Sequence, residues 1–279
     1  MDYSNFVILL ARQRSGTNAL RSILESHPDI FCLNEVFNLN DKESEDALLR
    51  ETNFFNFLIK YAQGDISRIF PNHHERLFLD FLEYLKCFSS RRYILIDVKS
   101  NTTHFLTQPT LDIVASPYLF DLIVAHGLKI FVVTRKNYLR YLVSLLKAQR
   151  TGYYSVSKTD THYSDNKIRI PVDSLLYRID KCYAEDQLIH KHFSSYAQYL
   201  SYDYADIFPK AMGGAAGDFL QCFSDWLGIS NRFEEVKYFK KQSYLPLEET
   251  IDNFEEVAKA LRGTKFEYCL EDERMYLNS

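Results

Sequence analysis

Arginine, serine, glycine, threonine and asparagine stand in unbroken order at Arg14-Ser15-Gly16-Thr17-Asn18, between an apolar run and an amphipathic one. The run before them, Phe6-Val7-Ile8-Leu9-Leu10, reads as a buried parallel strand, and Ala19, Leu20, Ile23 and Leu24 after them share one helical face. A short basic loop from strand to helix aims backbone N–H groups and the positive helix end at one spot, where a phosphate or sulfate is held. Its wording departs from the nucleotide triphosphatase loop G-x-x-x-x-G-K-[ST]: no glycine opens it and no lysine follows Gly16. A second anion site is written after Ile130-Phe131-Val132-Val133. Arg135 falls at that strand's carboxyl end, and Leu139, Leu142, Val143 and Leu146 mark the buried face of the next helix, leaving Ser144 near the face edge. An arginine fork and a serine hydroxyl together can hold a phosphate. Two anion sites on one sheet edge point to a ligand with two anionic groups.

The elements that must position these residues follow from the pattern. Strand-like runs recur at Phe6–Ala11, Tyr93–Val98, Lys129–Thr134 and Tyr199–Tyr202, with helical patterns between them. Such alternation predicts an α/β fold, a mainly parallel sheet covered on both faces, whose ligands bind outside the carboxyl ends of the strands. Helices are expected over Glu43–Gln63, Glu75–Phe88, Asp218–Leu227 and Asn253–Leu261, with a break at Gly213-Gly214. The polar stretch Thr151–Arg169, carrying Tyr153, Tyr154 and Tyr163, reads as a long functional loop.

No Pro/Gly/Ser-rich linker divides the 279 residues, so residues 1–279 are expected to form one domain. A net charge of −4 and a pI near 6.1 leave no global basic field, which argues against a nucleic-acid partner and makes any anion site local. Five scattered cysteines without a C-x-x-C pair argue for a reducing compartment. With no run near the roughly 18 apolar residues of a spanning helix, no integral membrane segment and a cytoplasmic location are expected. Most of the 20 tyrosines and 21 phenylalanines are assigned to core and sheet packing.

The order of these motifs resembles the sulfotransferases that use 3′-phosphoadenosine-5′-phosphosulfate (PAPS). Arg14-Ser15-Gly16-Thr17-Asn18 is similar to their first signature, R-S-G-T-[TNH], which cradles the 5′-phosphosulfate. Arg135 and Ser144 are similar to the arginine and serine that bind the 3′-phosphate, and Tyr199-Leu200-Ser201-Tyr202-Asp203 to a Y-[ED] strand end that would place Tyr202 near the adenine. His27-Pro28-Asp29-Ile30 followed by Asn34-Glu35-Val36-Phe37 resembles the bacterial carbohydrate branch, such as nodulation-factor and lipopolysaccharide sulfotransferases. The resemblance spans most of the chain, including the tail Lys240–Asn253, and implies a three-layer sandwich like that of the P-loop nucleotide triphosphatases. One feature departs from the pattern. Animal members space the arginine and serine by eight, whereas here the separation is nine (144 − 135), and the eight-spaced Val143 cannot donate to phosphate. A longer turn through Lys136 and Asn137 is therefore expected, because one extra residue rotates a helix by about 100°.

The resemblance implies a role for each residue. Arg14 would stabilise charge on the oxygen bridging phosphorus and sulfur, and Thr17 and Asn18 would bind the 5′-phosphate with the loop's N–H groups. Glu35 matches the glutamate base just past the first loop's helix, and Lys99 a lysine beside the transferring sulfuryl group. PAPS would be the co-substrate, the acceptor a carbohydrate or glycolipid hydroxyl, and no metal would be needed. His104 ranks second to Glu35 as base, while His73-His74, His190 and His192 lack partners for a metal site. Two other readings stay open: a P-loop kinase or nucleotide hydrolase with Asp97 as its acidic residue, and a non-catalytic nucleotide-binding relative. Neither the acceptor's identity nor the oligomeric state is written in the sequence.

Overall fold

Alternation of side chains along the first strand decides how the layers form. In the computed structural model, which describes residues 2–107, 116–152, 167–209, 215–234 and 245–271, every residue of β1 (Phe6–Ala11) is buried. Phe6, Ile8 and Leu10 point into one core and Val7, Leu9 and Ala11 into another, so β1 is covered on both faces. Around it lie β2 (Ile30–Leu33), β3 (Tyr93–Lys99), β4 (Lys129–Thr134) and β5 (Tyr199–Asp203), in the order β2-β3-β1-β4-β5 with every pairing parallel. Of these, β2 was not among the expected strand runs. The order reverses at β1, where the connections diverge and leave a crevice beyond the strand's carboxyl end.

The helices are α1 (Thr17–Glu25), α2 (Ala47–Thr52), α3 (Phe54–Tyr61), α4 (His74–Lys86), α5 (Tyr118–Ala125), α6 (Tyr138–Thr151), α7 (Leu175–Phe193), α8 (Tyr204–Ile207), α9 (Gly217–Leu227), α10 (Leu247–Thr250) and α11 (Phe254–Leu261). On the Phe6 face the core takes Phe54 and Phe57 of α3, Leu77 to Leu85 of α4, Leu119 to Ile123 of α5 and Phe193 of α7. On the Val7 face it takes Leu20 and Leu24 of α1 and Phe219, Phe223 and Leu227 of α9. A third cluster joins α6, α7 and α11 through Leu139, Leu142, Val143, Ile179, Val257 and Leu261. The expected α/β sandwich with a parallel central sheet is the observed architecture.

The single helix expected over Glu43–Gln63 is broken. Asp46 caps α2, and Asn53 turns extended to accept from the N–H groups of Phe55 and Asn56, restarting the chain as α3. A short asparagine amide can compete with the backbone for hydrogen bonds, and at Asn53 it does so as a cap, which divides the helical pattern there. Most of the Thr151–Arg169 loop, including its tyrosines, and Gly213-Gly214 and the start of the Lys240–Asn253 tail lie outside the described residues.

Phe81 of α4 packs against the rings of Phe37, Phe54 and Phe57, with centroids 6.2, 5.1 and 5.2 Å away. Phe81→Ala is expected to remove about 3–5 kcal/mol of stability in urea titration. Ile66, 62% exposed, should lose no more than about 0.5 kcal/mol as alanine; similar losses at the two positions would contradict this core.

Candidate active site

Two periodicities bring one end of the site together. Along β3, alternate residues Tyr93 and Leu95 enter the core shared with α1, so Asp97 and Lys99 point to the same side. Along α1, Thr17, Leu20, Arg21 and Leu24 follow the spacing of one helical face, which packs on that side. The buried Lys99 ammonium donates to Thr17 Oγ1 at 2.6 Å and to both oxygens of Asp97, at 2.6 and 2.8 Å. Its third neighbour is Glu35 Oε1, 3.4 Å away. Asp97 is fully buried and also faces Arg21 Nε at 3.4 Å, while Arg21 Nη2 donates to Asn18 Oδ1 at 3.0 Å. In phosphate-loop hydrolases a loop threonine and a strand aspartate hold Mg²⁺; here a lysine ammonium joins the corresponding pair.

The loop itself is bent by two left-handed residues, Arg14 at φ 64° and Gly16 at φ 74°. For arginine this conformation costs about 1–2 kcal/mol, which its partners must offset. Arg14 Nε donates to Ser144 Oγ at 3.1 Å, and Arg135 Nη1 donates to the Arg14 carbonyl at 3.2 Å. The two expected anion sites therefore adjoin. Asn137 caps α6 by accepting from Arg140 N–H, so the β4–α6 turn runs through Arg135, Lys136 and Asn137 and brings Ser144 to the loop. Val143, one residue earlier, is buried in the third cluster instead. Gly16 precedes α1 without a side-chain cap, and Ser15 Oγ is buried with no hydrogen-bond partner. Both features suit an anion taken by the loop's donors.

Glu35 follows β2, half-buried, with its carboxyl raised above the ordinary range. Burial is the largest cause; the negative charges of Asp97 and Asp41 add to it and the Lys99 ammonium opposes it. Tyr202 is placed on α9, edge-on to Phe219 at 5.1 Å, and burial beside Cys222 pushes its phenol up to about 12. His104 is exposed on the turn Ser100–Phe105 with its ring against Phe105. The His-Pro after α1 is structural: buried His27 accepts from Asp29 N–H at Nδ1, which leaves Nε2 to donate to Ser230 O at 2.8 Å.

The structure adds residues that were not singled out. Arg12, at the loop's entrance, is buried against Glu185 (3.0 Å), Asp186 (2.6 Å) and the Cys182 carbonyl of α7, and Tyr138 of α6 donates to Asp186 at 2.9 Å. This network fastens the loop to the helix that carries Ser144. Tyr204 lies between the two expected anion sites: the Arg135 guanidinium sits 4.9 Å over its ring, and a Cβ on Gly16 would come within 2.5 Å of that ring. Asp203 fixes this corner by accepting from Ala205 N–H and Lys136 N–H. Arg12 is separated from Asp186 by 174 residues, which no local pattern reveals. The only sequence signal for Tyr204 was its place just after the Y-[ED] strand end.

Alanine at Gly64, at φ 87° with nothing within 4 Å of a Cβ, should cost only the backbone penalty of about 1–2 kcal/mol. Alanine at Gly16 adds the collision with Tyr204 and should lose about 1 kcal/mol or more beyond that in chemical denaturation. Equal losses would contradict the close packing of loop and ring.

No protein-family model matches the chain. By sequence it is 23% identical over 252 residues to nodulation protein H of Rhizobium meliloti (strain 1021), which covers 89% of this chain and 88% of that protein. By structure it is similar to the sulfotransferase domain from the curacin biosynthetic pathway, with 12% identity, a TM-score of 0.47 and coverage of 99% of this chain and 97% of that one. A sulfotransferase from Alicyclobacillus acidocaldarius is similar at 14% identity and a TM-score of 0.44, over 94% and 95% of the two chains. The similarity to nodulation protein H, which runs along most of both chains, agrees with the resemblance to the nodulation-type bacterial branch read from the signatures.

Proposed function

We propose that this chain is a sulfotransferase that moves the sulfuryl group of PAPS to a hydroxyl of a carbohydrate or glycolipid, with Glu35 as general base. The observation that carries the reading is the junction of Arg14, Ser144 and Arg135 at the mouth of an uncapped helix start, a place for both ends of a nucleotide with two phosphate groups. When bound, PAPS supplies a sulfuryl group activated by its anhydride link to phosphate. Thr17, Asn18 and the loop N–H groups would hold the 5′-phosphate, Arg135 and Ser144 the 3′-phosphate, and Tyr202 the adenine side. Arg14 and Lys99 would offset charge around the group in transit, as positioned cations do in phosphoryl transfer.

Glu35 takes the acceptor's proton as attack proceeds. Its burial beside Lys99 matches the role, because a raised carboxyl is a stronger base once ionised than an ordinary surface carboxylate. The long similarity to a nodulation protein supports a bacterial acceptor chemistry, and the carbohydrate or glycolipid acceptor rests on that likeness and on the sequence signatures. Lys99 between Thr17 and Asp97 supports transfer without a divalent cation.

Adenosine 3′,5′-bisphosphate should raise the melting temperature, since a ligand at about 100 times its Kd stabilises the folded state by about 2.7 kcal/mol. Arg135→Ala should abolish most of that shift, whereas Glu35→Ala should keep it and lose transfer to a panel of oligosaccharides and glycolipids. No shift in the wild-type chain would sink the nucleotide reading; full transfer by Glu35→Ala would move the base elsewhere. Transfer should continue in EDTA.

The pH dependence has a definite sign. Glu35 must be ionised to accept a proton, and its pKa is raised from about 4.5, so kcat/KM should climb with pH through a midpoint above that value. A midpoint at or below 4.5 would contradict the burial of this carboxyl.

A further inference from the structure

Asp97 stands on the central part of an apolar sheet face, in register with Leu9 of β1, where Tyr93 and Leu95 before it are core residues. A buried carboxylate at such a place is unfavourable unless fully paired, and an apolar side chain would pack there without that cost. Its partners are the informative feature. Lys99, which it holds with both oxygens, reaches Thr17; Arg21, which faces it from α1, reaches Asn18.

We propose that Asp97 is the positioning residue of the anion loop: its carboxylate holds Lys99 and Arg21, and through them fixes Thr17 and Asn18 for the nucleotide's 5′-phosphate. The proposal rests on the PAPS reading and adds a residue to which that reading gives no role. Without the Asp97 charge, the Lys99 ammonium and the Arg21 guanidinium are left to repel each other, and Lys99 turns toward Glu35, its remaining anionic neighbour at 3.4 Å. Thr17 then loses its donor and Asn18 its tether. The groups that bias Glu35 are Lys99 and Asp97 of β3 and Asp41 of the turn Leu39–Glu43. Removing the Asp97 charge and freeing Lys99 act in the same direction, so the Glu35 carboxyl should titrate at lower pH, an effect that loss of packing alone would not produce.

The test compares the full wild-type chain with Asp97→Asn. Affinity for adenosine 3′,5′-bisphosphate is read by calorimetry, and the Glu35 carboxyl by carbon NMR of glutamate-labelled protein, assigned with Glu35→Gln. Binding at least tenfold weaker together with a lower Glu35 midpoint is the expected result. Wild-type affinity, or an unmoved midpoint, would overturn the proposal. Should Asp97→Asn fail to fold, Arg21→Gln at the half-buried end of the network must weaken binding several-fold, and unaltered affinity there overturns it equally. Absence of binding by the wild-type chain would instead defeat the nucleotide reading, with the Glu35 midpoint in Asp97→Asn still deciding whether Asp97 governs Lys99.

Discussion

Cations gathered at one sheet edge must be held apart before any anion reaches them, and the structure is arranged around that constraint. Arg12, Arg14, Arg21, Lys99 and Arg135 converge on the carboxyl ends of β1, β3 and β4, and each has a designated acceptor. Arg12 has the acids of α7, Lys99 and Arg21 share Asp97, Arg14 has the Ser144 hydroxyl, and Arg135 has a backbone carbonyl and the face of Tyr204. The two deepest cations, Arg12 and Lys99, hold carboxylates; Arg14 reaches the Ser144 hydroxyl, and Arg135 the Arg14 carbonyl.

The same contacts tie the two ends of the crevice into one body. The Arg14 side chain reaches α6 and its carbonyl receives Arg135, so the loop after β1 and the turn after β4 are fixed to each other. Tyr204 fills the gap beneath, against Gly16, and Asp203 ties the start of α8 to Lys136 N–H. A ligand gripped at both phosphates would meet a preformed spacing, which is where binding energy is used for orientation.

Much of this frame was legible in the sequence. The strands Phe6–Ala11 and Lys129–Thr134 stand where the apolar runs put them, because central parallel strands are apolar on both faces. Ser144 could be preferred to Val143 on hydroxyl chemistry, and the turn through Lys136 and Asn137 supplies the rotation that brings it to Arg14. What local pattern could not supply was long-range pairing. Arg12 reads as a loop arginine until α7 brings Asp186 to it, and Asp97 as a lone acid until α1 lays Arg21 over it. The helix expected over Glu43–Gln63 hid a cap at Asn53, since helical periodicity runs through a single capping residue. Tyr202 was assigned to the adenine side by its motif alone, and its edge-on contact with Phe219 of α9 is a long-range packing that the motif does not encode.

A crystal structure with adenosine 3′,5′-bisphosphate tests the central claim most directly. The account predicts the 5′-phosphate against the backbone N–H groups of residues 15–18 and the 3′-phosphate within hydrogen-bond reach of Arg135 and Ser144. A nucleotide lodged elsewhere, with both of those places free of phosphate, would contradict it.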